Sequence, residues 1–141
     1  MSIIYTAKAT STGGREGKVA TDDKKIEFDL SLPGSNGDGA NPEQFFAAGY
    51  SACFGQALKA MADKEGLKPE SVTVDIAVNL HKGDDGFSLS VKLDAGLPGL
   101  SKGEAEKLVQ MAHEICPYSR ATRGNIKVEL AANGSALKAA A

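Results

Sequence analysis

One segment limits what this chain can become. From Phe45 to Met61 nearly every residue is apolar or small, whichever face of a helix it would occupy. The flanks mark the segment as helical: Asn41 can serve as N-cap, Pro42 takes the first helical position, and Glu43 sits in the first turn. Gly66 followed by Leu67 is a glycine C-cap signal, so the helix is predicted to start at Pro42 and run to about Glu65. A helix apolar all round is buried rather than laid on a surface. Ala47, Ala48, Gly49, Ser51 and Ala52 would let neighbouring backbones come close. Gln56 and Lys59 interrupt the run, which falls short of the roughly 20 residues a bilayer demands, so no membrane association is expected.

The remaining segments read as strands and one further helix. Residues 4–9 are partly alternating. Residues 18–21 and 26–30, around a turn at Asp22-Asp23, form a hairpin candidate with period-2 patterning. Residues 11–17 are a glycine-rich loop carrying Arg15, and residues 33–40 hold too many breakers for regular structure. Two longer alternating runs, 71–82 and 87–93, flank the turn Gly83-Asp84-Asp85-Gly86. Ser101 with Glu104 three residues on is a capping box, opening a helix towards Ile115 that Pro117 ends or kinks. A last strand over 125–131 precedes an alanine-rich tail expected to fray. This order implies one α+β domain, residues 1–141, with antiparallel sheets wrapped around a buried central helix. One chain's short sheets would struggle to cover a helix that is greasy on all sides, so a homodimer burying both central helices is expected.

Net charge is −2, with acids and bases interleaved, which removes the electrostatic footprint of a nucleic-acid binder. The first six residues have neither a basic nor an apolar leader region, so the expected compartment is cytoplasmic. There a permanent structural disulfide between Cys53 and Cys116 is not expected. A thiol amid apolar neighbours has a raised pKa and is inert unless a cation is delivered to it. Arg15, in its glycine-flanked loop, is the candidate cation, and Glu43 the carboxylate able to grip it bidentately. Ten residues along one helix place Glu43 roughly 15 Å from Cys53. Either the arginine bridges that gap or the glutamate comes from a second subunit, and the second arrangement is favoured. Cys116, beside Pro117 at a helix break, could move as a resolving cysteine must. His113 lies one turn upstream, but with no C-x-x-C or H-x-x-x-H pair joining it, Cys53 and His81, no metal site is expected.

Three separated motifs then fit a known family. Asn41 to Phe54 reads NPEQFFAAGYSACF, Cys116 to Asn125 reads CPYSRATRGN, and Gly13 to Gly17 reads GGREG. In this order and spacing they resemble the organic hydroperoxide resistance (Ohr) branch of the OsmC-like superfamily, along the whole chain. Phe45 stands where leucine is common, Glu16 where aspartate or asparagine is usual, and Arg120 where asparagine is usual; the last adds positive charge beside Cys116. The resemblance implies an OsmC-like fold and an intertwined homodimer with two sites at the subunit interface. It implies a cofactor-free organic hydroperoxide reductase, a peroxiredoxin-like thiol peroxidase acting in the response to oxidative stress. Its reductant would be a lipoylated protein or dihydrolipoamide. Residue by residue, Cys53 becomes the peroxidatic cysteine, Cys116 the resolving one, Arg15 the activating cation and Glu43 its positioner. Phe45, Phe46, Tyr50, Phe54 and Leu97 are candidates to line an apolar substrate approach, with plain core packing the competing reading of each. Two other classes stay open on the residues alone: a module that binds an apolar ligand through inert cysteines, and a redox sensor that forms the same disulfide to signal.

Overall fold

The capping signals of the central segment are satisfied where the sequence places them. Helix α1 spans Pro42–Glu65. Asn41 Oδ1 accepts from the Gln44 N–H at 3.0 Å, and Gln44 Oε1 accepts from the Asn41 N–H at 3.0 Å. This reciprocal pair satisfies donors that a helix start otherwise leaves orphaned. At the far end Gly66 adopts φ +67°, which costs nothing without a Cβ. The Leu67 N–H then turns back to the Ala62 carbonyl at 2.9 Å. The computed structural model describes residues 1–138, and the chain divides into two compact units, Met1–Phe45 and a second beginning at Phe46.

The first unit carries a three-stranded antiparallel sheet in the order β1-β2-β3, formed by Ala9–Thr12, Lys18–Thr21 and Glu27–Asp29. The predicted hairpin is present, with Val19 opposite Phe28. Its turn is pinned by Asp23 Oδ1, which accepts from the Thr21 hydroxyl at 2.7 Å and the Lys25 N–H at 3.0 Å. The first strand differs from expectation. It begins at Ala9, where residues 4–9 were expected to end, and continues through Thr10 to take in Ser11 and Thr12 from the expected loop. The register gives the reason: Ala9 to Thr12 already occupy all four residues of β2, so residues 4–8 gain no ladder from it.

The second unit holds a four-stranded sheet in the order β4-β5-β6-β7. Strands β4 (Thr73–Gly83) and β5 (Gly86–Gly96) form the long hairpin, in register from Thr73↔Gly96 to Gly83↔Gly86 around Asp84-Asp85. One ladder departs from the antiparallel expectation: β6 (Lys127–Ala132) runs parallel to β5, pairing Val91 with Val128 and Leu93 with Leu130. A parallel neighbour needs a long crossover, and the helices between β5 and β6 supply it. The tail also differs, since Ser135–Ala136 form β7 against β6. The last part of the tail expected to fray, residues 139–141, lies outside the described residues.

The inward side chains Val91, Leu93, Ala95, Val128 and Leu130 build a core with Tyr50, Phe54 and Leu58 of α1. The buried residues of α1 are Tyr50, Phe54, Ala57, Leu58 and Ala62, one stripe at helical spacing. Ala48 and Ala52, four residues apart, are exposed. Within one chain, therefore, part of the helix stays uncovered. No helix among the described residues is long and apolar enough to cross a membrane.

Candidate active site

The two cysteines meet because of a proline. Helix α2, Lys102–Ile115, begins at Ser101, whose Oγ accepts from the Glu104 N–H at 3.2 Å and donates to the Glu104 carboxylate at 3.0 Å. Pro117 cannot continue α2, having no N–H to give. It does fit the first position of a new helix, and α3 occupies Pro117–Thr122. The proline expected only to end or kink α2 thus also opens α3. Cys116 is the C-cap of one helix and the N-cap of the next, fully buried at the elbow between them. Its Sγ lies 3.6 Å from that of Cys53, which is half-buried in the middle of α1. A disulfide requires about 2.05 Å, so joining them needs a closure of about 1.5 Å.

Three influences act on the Cys53 thiol. Burial pushes its pKa above the ordinary 9.0, the backbone N–H of Tyr118 pulls it down, and the neighbouring Cys116 thiol pushes it up; the net direction is upward. The Tyr118 amide is a functional group the sequence reading missed. Its signal was present, because a proline at the first position of a helix makes the next residue the first to offer a free N–H. The elbow has a further peg: an Arg123 guanidinium N–H donates to the His113 carbonyl. In an uninterrupted helix that carbonyl would take the N–H of residue 117, which proline lacks.

In the first unit, Arg15 lies in a one-turn 3-10 helix, Gly14–Glu16. Gly17 closes this turn under tight conditions: a Cβ there would lie 1.8 Å from the Thr12 carbonyl oxygen. Arg15 grips Glu43 with two parallel bonds, Nη1 to Oε2 at 2.9 Å and Nη2 to Oε1 at 2.7 Å. This is the bidentate geometry that planar guanidinium and carboxylate favour. The pair forms within one chain, so Glu43 meets Arg15 without a second subunit. A cavity of about 420 Å³ beside it is lined by Arg15, Val19, Ile26, Leu30, Pro42 and Phe45.

The arginine's hydrogen bonds hold the Glu43 pKa below its ordinary 4.5, against the opposing push of burial. A carboxylate held low in the folded state stabilises the fold above its unfolded pKa. That contribution fades as pH falls through the lowered folded value. The expected result is that the thermal midpoint of Glu43→Gln lies no more than a few degrees below the parent near neutrality. The difference should shrink below pH 4.5. An unchanged gap down to strongly acidic pH in paired melting curves would show that the ion pair is not what Glu43 contributes.

The apolar candidates separate into two groups. Phe45 and Phe46 are half-buried; Phe45 meets Phe28 edge-on at 5.5 Å, and Phe46 meets Tyr118 at 6.2 Å. Tyr50, Phe54 and Leu97 have no exposed surface at all. Tyr50 Oη lies 2.8 Å from Ser119 Oγ, and the Leu97 N–H donates to Asn133 Oδ1 at 2.7 Å. These three are core residues in this structure. Arg120 is exposed on α3. His81 is exposed on β4, with Nε2 2.7 Å from Ser90 Oγ, while His113 is buried on α2. Among the described residues no three His, Cys, Asp or Glu side chains gather to hold a metal ion.

Residues 34–131 match the family of OsmC-like proteins. An organic hydroperoxide resistance protein of Xanthomonas axonopodis pv. citri (strain 306) is 50% identical over 133 residues, covering 91% of this chain and 94% of the relative. The organic hydroperoxide resistance protein OhrB of Bacillus subtilis (strain 168) is 41% identical over 131 residues, 90% of this chain and 96% of the relative. Among solved structures, a putative organic hydroperoxide resistance protein from Vibrio cholerae, with captopril bound in one of its active sites, superposes with a TM-score of 0.91. It is 43% identical, and the match covers 97% of each chain. The crystal structure of Bacillus subtilis OhrB gives a TM-score of 0.88 over 92% of this chain and 99% of that one.

Proposed function

Since this chain belongs to the OsmC-like family, we propose that it reduces organic hydroperoxides to alcohols through Cys53 and Cys116, in the response to oxidative stress. The observation that carries the reading is the 3.6 Å approach of two free thiols at a helix elbow, in a chain whose relatives are named for organic hydroperoxide resistance.

The chemistry balances with these groups alone. The Cys53 thiolate attacks one peroxide oxygen; the O–O bond breaks, the alkoxide leaves and takes a proton to become the alcohol, and Cys53 is left as a sulfenic acid. The Cys116 thiol condenses with it, forming the S–S bond and releasing water. A dithiol of dihydrolipoyl type then reopens the disulfide by exchange and carries the oxidation away. Arg15, oriented by Glu43, is assigned the cation that favours the thiolate and stabilises charge developing on the leaving oxygen. Its bidentate grip fixes the direction of the guanidinium. Phe45 and Phe46 retain surface to meet an alkyl chain, backed by Tyr50, Phe54 and Leu97.

We assign the two units to one functional domain in a cytoplasmic homodimer, since exposed Ala48 and Ala52 leave a small-residue face of α1 for a second copy. Light scattering that reads a monomer at micromolar concentration would remove the homodimer. The activity is tested by a steady-state assay with cumene hydroperoxide and with hydrogen peroxide, each with dihydrolipoamide and then thioredoxin. The expected result is turnover of the organic peroxide with the lipoyl dithiol, well above every other combination. No consumption of either peroxide in any arm overturns the reading.

A further inference from the structure

Two hydroxyls that the proposed chemistry does not use flank the cysteine pair. Tyr50 precedes Cys53 by three residues on α1, and Ser119 follows Cys116 by three on the α3 side of the elbow. Residues three apart on a helix are neighbours on its surface. Tyr50 Oη and Ser119 Oγ lie 2.8 Å apart, and neither side chain has any exposed surface. Thr122 Oγ1 donates to the Tyr118 carbonyl at 3.0 Å and so faces the phenol as an acceptor, at 3.4 Å. A buried hydroxyl pair is thus placed one helical turn from each sulfur.

The surrounding contacts are of a different kind. The Tyr50 ring packs on Phe46, Phe54 and Tyr118 at centroid distances of 5.6 to 6.4 Å. Aromatic packing tolerates small sliding, whereas a hydrogen bond weakens steeply once its distance and angle are lost. The elbow at Cys116 has no helical backbone ladder running through it to hold its angle, since Pro117 interrupts the ladder. The shortest hydrogen bond tying α3 to α1 is Tyr50–Ser119, with the longer Tyr50–Thr122 contact and the Tyr118 N–H at Cys53 beside it. The Arg123 guanidinium pegs the end of α3 to α2.

We infer that Tyr50 and Ser119 are positioning residues: their bond holds the elbow so that Cys116 Sγ stands within closing distance of Cys53. The thermodynamic half of this inference, ease of disulfide formation, stands without the peroxidase reading. The kinetic half rests on it. There the Cys53 sulfenic acid has two fates: condensation with the Cys116 thiol, giving disulfide and water, or attack on a second hydroperoxide, giving sulfinic acid and alcohol. A clamp that keeps the second thiol close decides between them.

The test uses Ser119→Ala, Tyr50→Phe and the double variant of the full chain. Each is equilibrated in a dithiothreitol redox buffer without peroxide, which reads the effective concentration of one cysteine at the other. All three are expected to lose about tenfold, because a misplacement near 1 Å can cost up to about a hundredfold. With alkyl hydroperoxide, mass spectrometry of Cys53 should show the sulfinic fraction rising at peroxide concentrations that leave the parent as disulfide. In Ser119→Ala the formation of sulfenic acid should keep the parental rate.

Melting curves separate positioning from simple loss of stability. Each single variant leaves a buried hydroxyl without its partner and melts lower, whereas the double variant removes both and recovers much of the loss. Positioning requires that the effective concentration stay low in the double variant while its melting temperature recovers. Parental effective concentration in the variants, or one that recovers with the melting temperature, overturns the inference. Should the parent form no sulfenic acid with any hydroperoxide while the variants still lose effective concentration, the peroxidase reading fails and the clamp stands.

Discussion

Cys53→Ser is expected to abolish hydroperoxide consumption, a loss of at least about a thousandfold, in line with removal of a nucleophile that no neighbour replaces. The hydroxyl is far less acidic than the thiol and its oxygen less nucleophilic towards peroxide. Nothing in the described site offers a second base to activate it: Cys53 is met by the Tyr118 N–H, which only donates, and by the Cys116 thiol. The substitution is close to isosteric at a half-buried position, and the serine oxygen can accept the same Tyr118 amide. The fold should therefore survive, with a melting temperature within a few degrees of the parent. Loss of activity without loss of structure, read by a peroxide assay beside a melting curve, isolates the chemistry from the scaffold. A variant that still consumes cumene hydroperoxide at the parental rate would remove Cys53 from the mechanism and the mechanism from this chain.

The parts of this site were legible in the sequence to different degrees, for physical reasons. Helix α1 was legible at both ends because its caps are local chemistry: Asn41 and Gln44 satisfy each other within one turn, and Gly66 terminates by a backbone conformation that glycine favours. The long hairpin was legible because alternation over Val72, Val74, Ile76 and Val78 leaves one register that buries a face. The parallel pairing of β6 with β5 was not, since five alternating residues carry no sign of their direction. Nor was the start of β1, which depends on how much of β2 remains to be paired. Arg15 and Glu43 were recognisable as a complementary pair from charge and placement. That both come from one chain was decided by the loop's path.

The approach of Cys53 to Cys116 was the least legible feature. The two stand 63 positions apart, and no pattern between them encodes contact; only resemblance to a family pointed to it. The device that produces the approach was written in three letters, Cys-Pro-Tyr. The proline both stops one helix and starts the next, and so aims the tyrosine amide and the cysteine sulfur at the same atom.

Cys116→Ser should separate the two halves of the reaction. Serine at the elbow keeps the cap geometry, and its smaller oxygen fits where the sulfur is now fully buried. The Cys116 thiol pushes the Cys53 pKa upward both as a hydrogen-bond partner and as an ionisable neighbour, and serine removes the ionisable part. The sign of that change favours the Cys53 thiolate, so the first step should be no slower than in the parent. One equivalent of alkyl hydroperoxide should yield one equivalent of alcohol and a sulfenic acid that persists, open to a sulfenic-specific trap. With excess peroxide the same sulfur should gain a second oxygen, and a dithiol should not reverse it. Sustained turnover should then fall by about tenfold or more as peroxide rises, because each cycle risks a dead end that disulfide formation otherwise prevents. Intact-mass spectra taken alongside the rate decide the matter. Full turnover with no sulfinic adduct accumulating would mean that reductant reaches Cys53 directly, and that the buried partner at the elbow protects nothing.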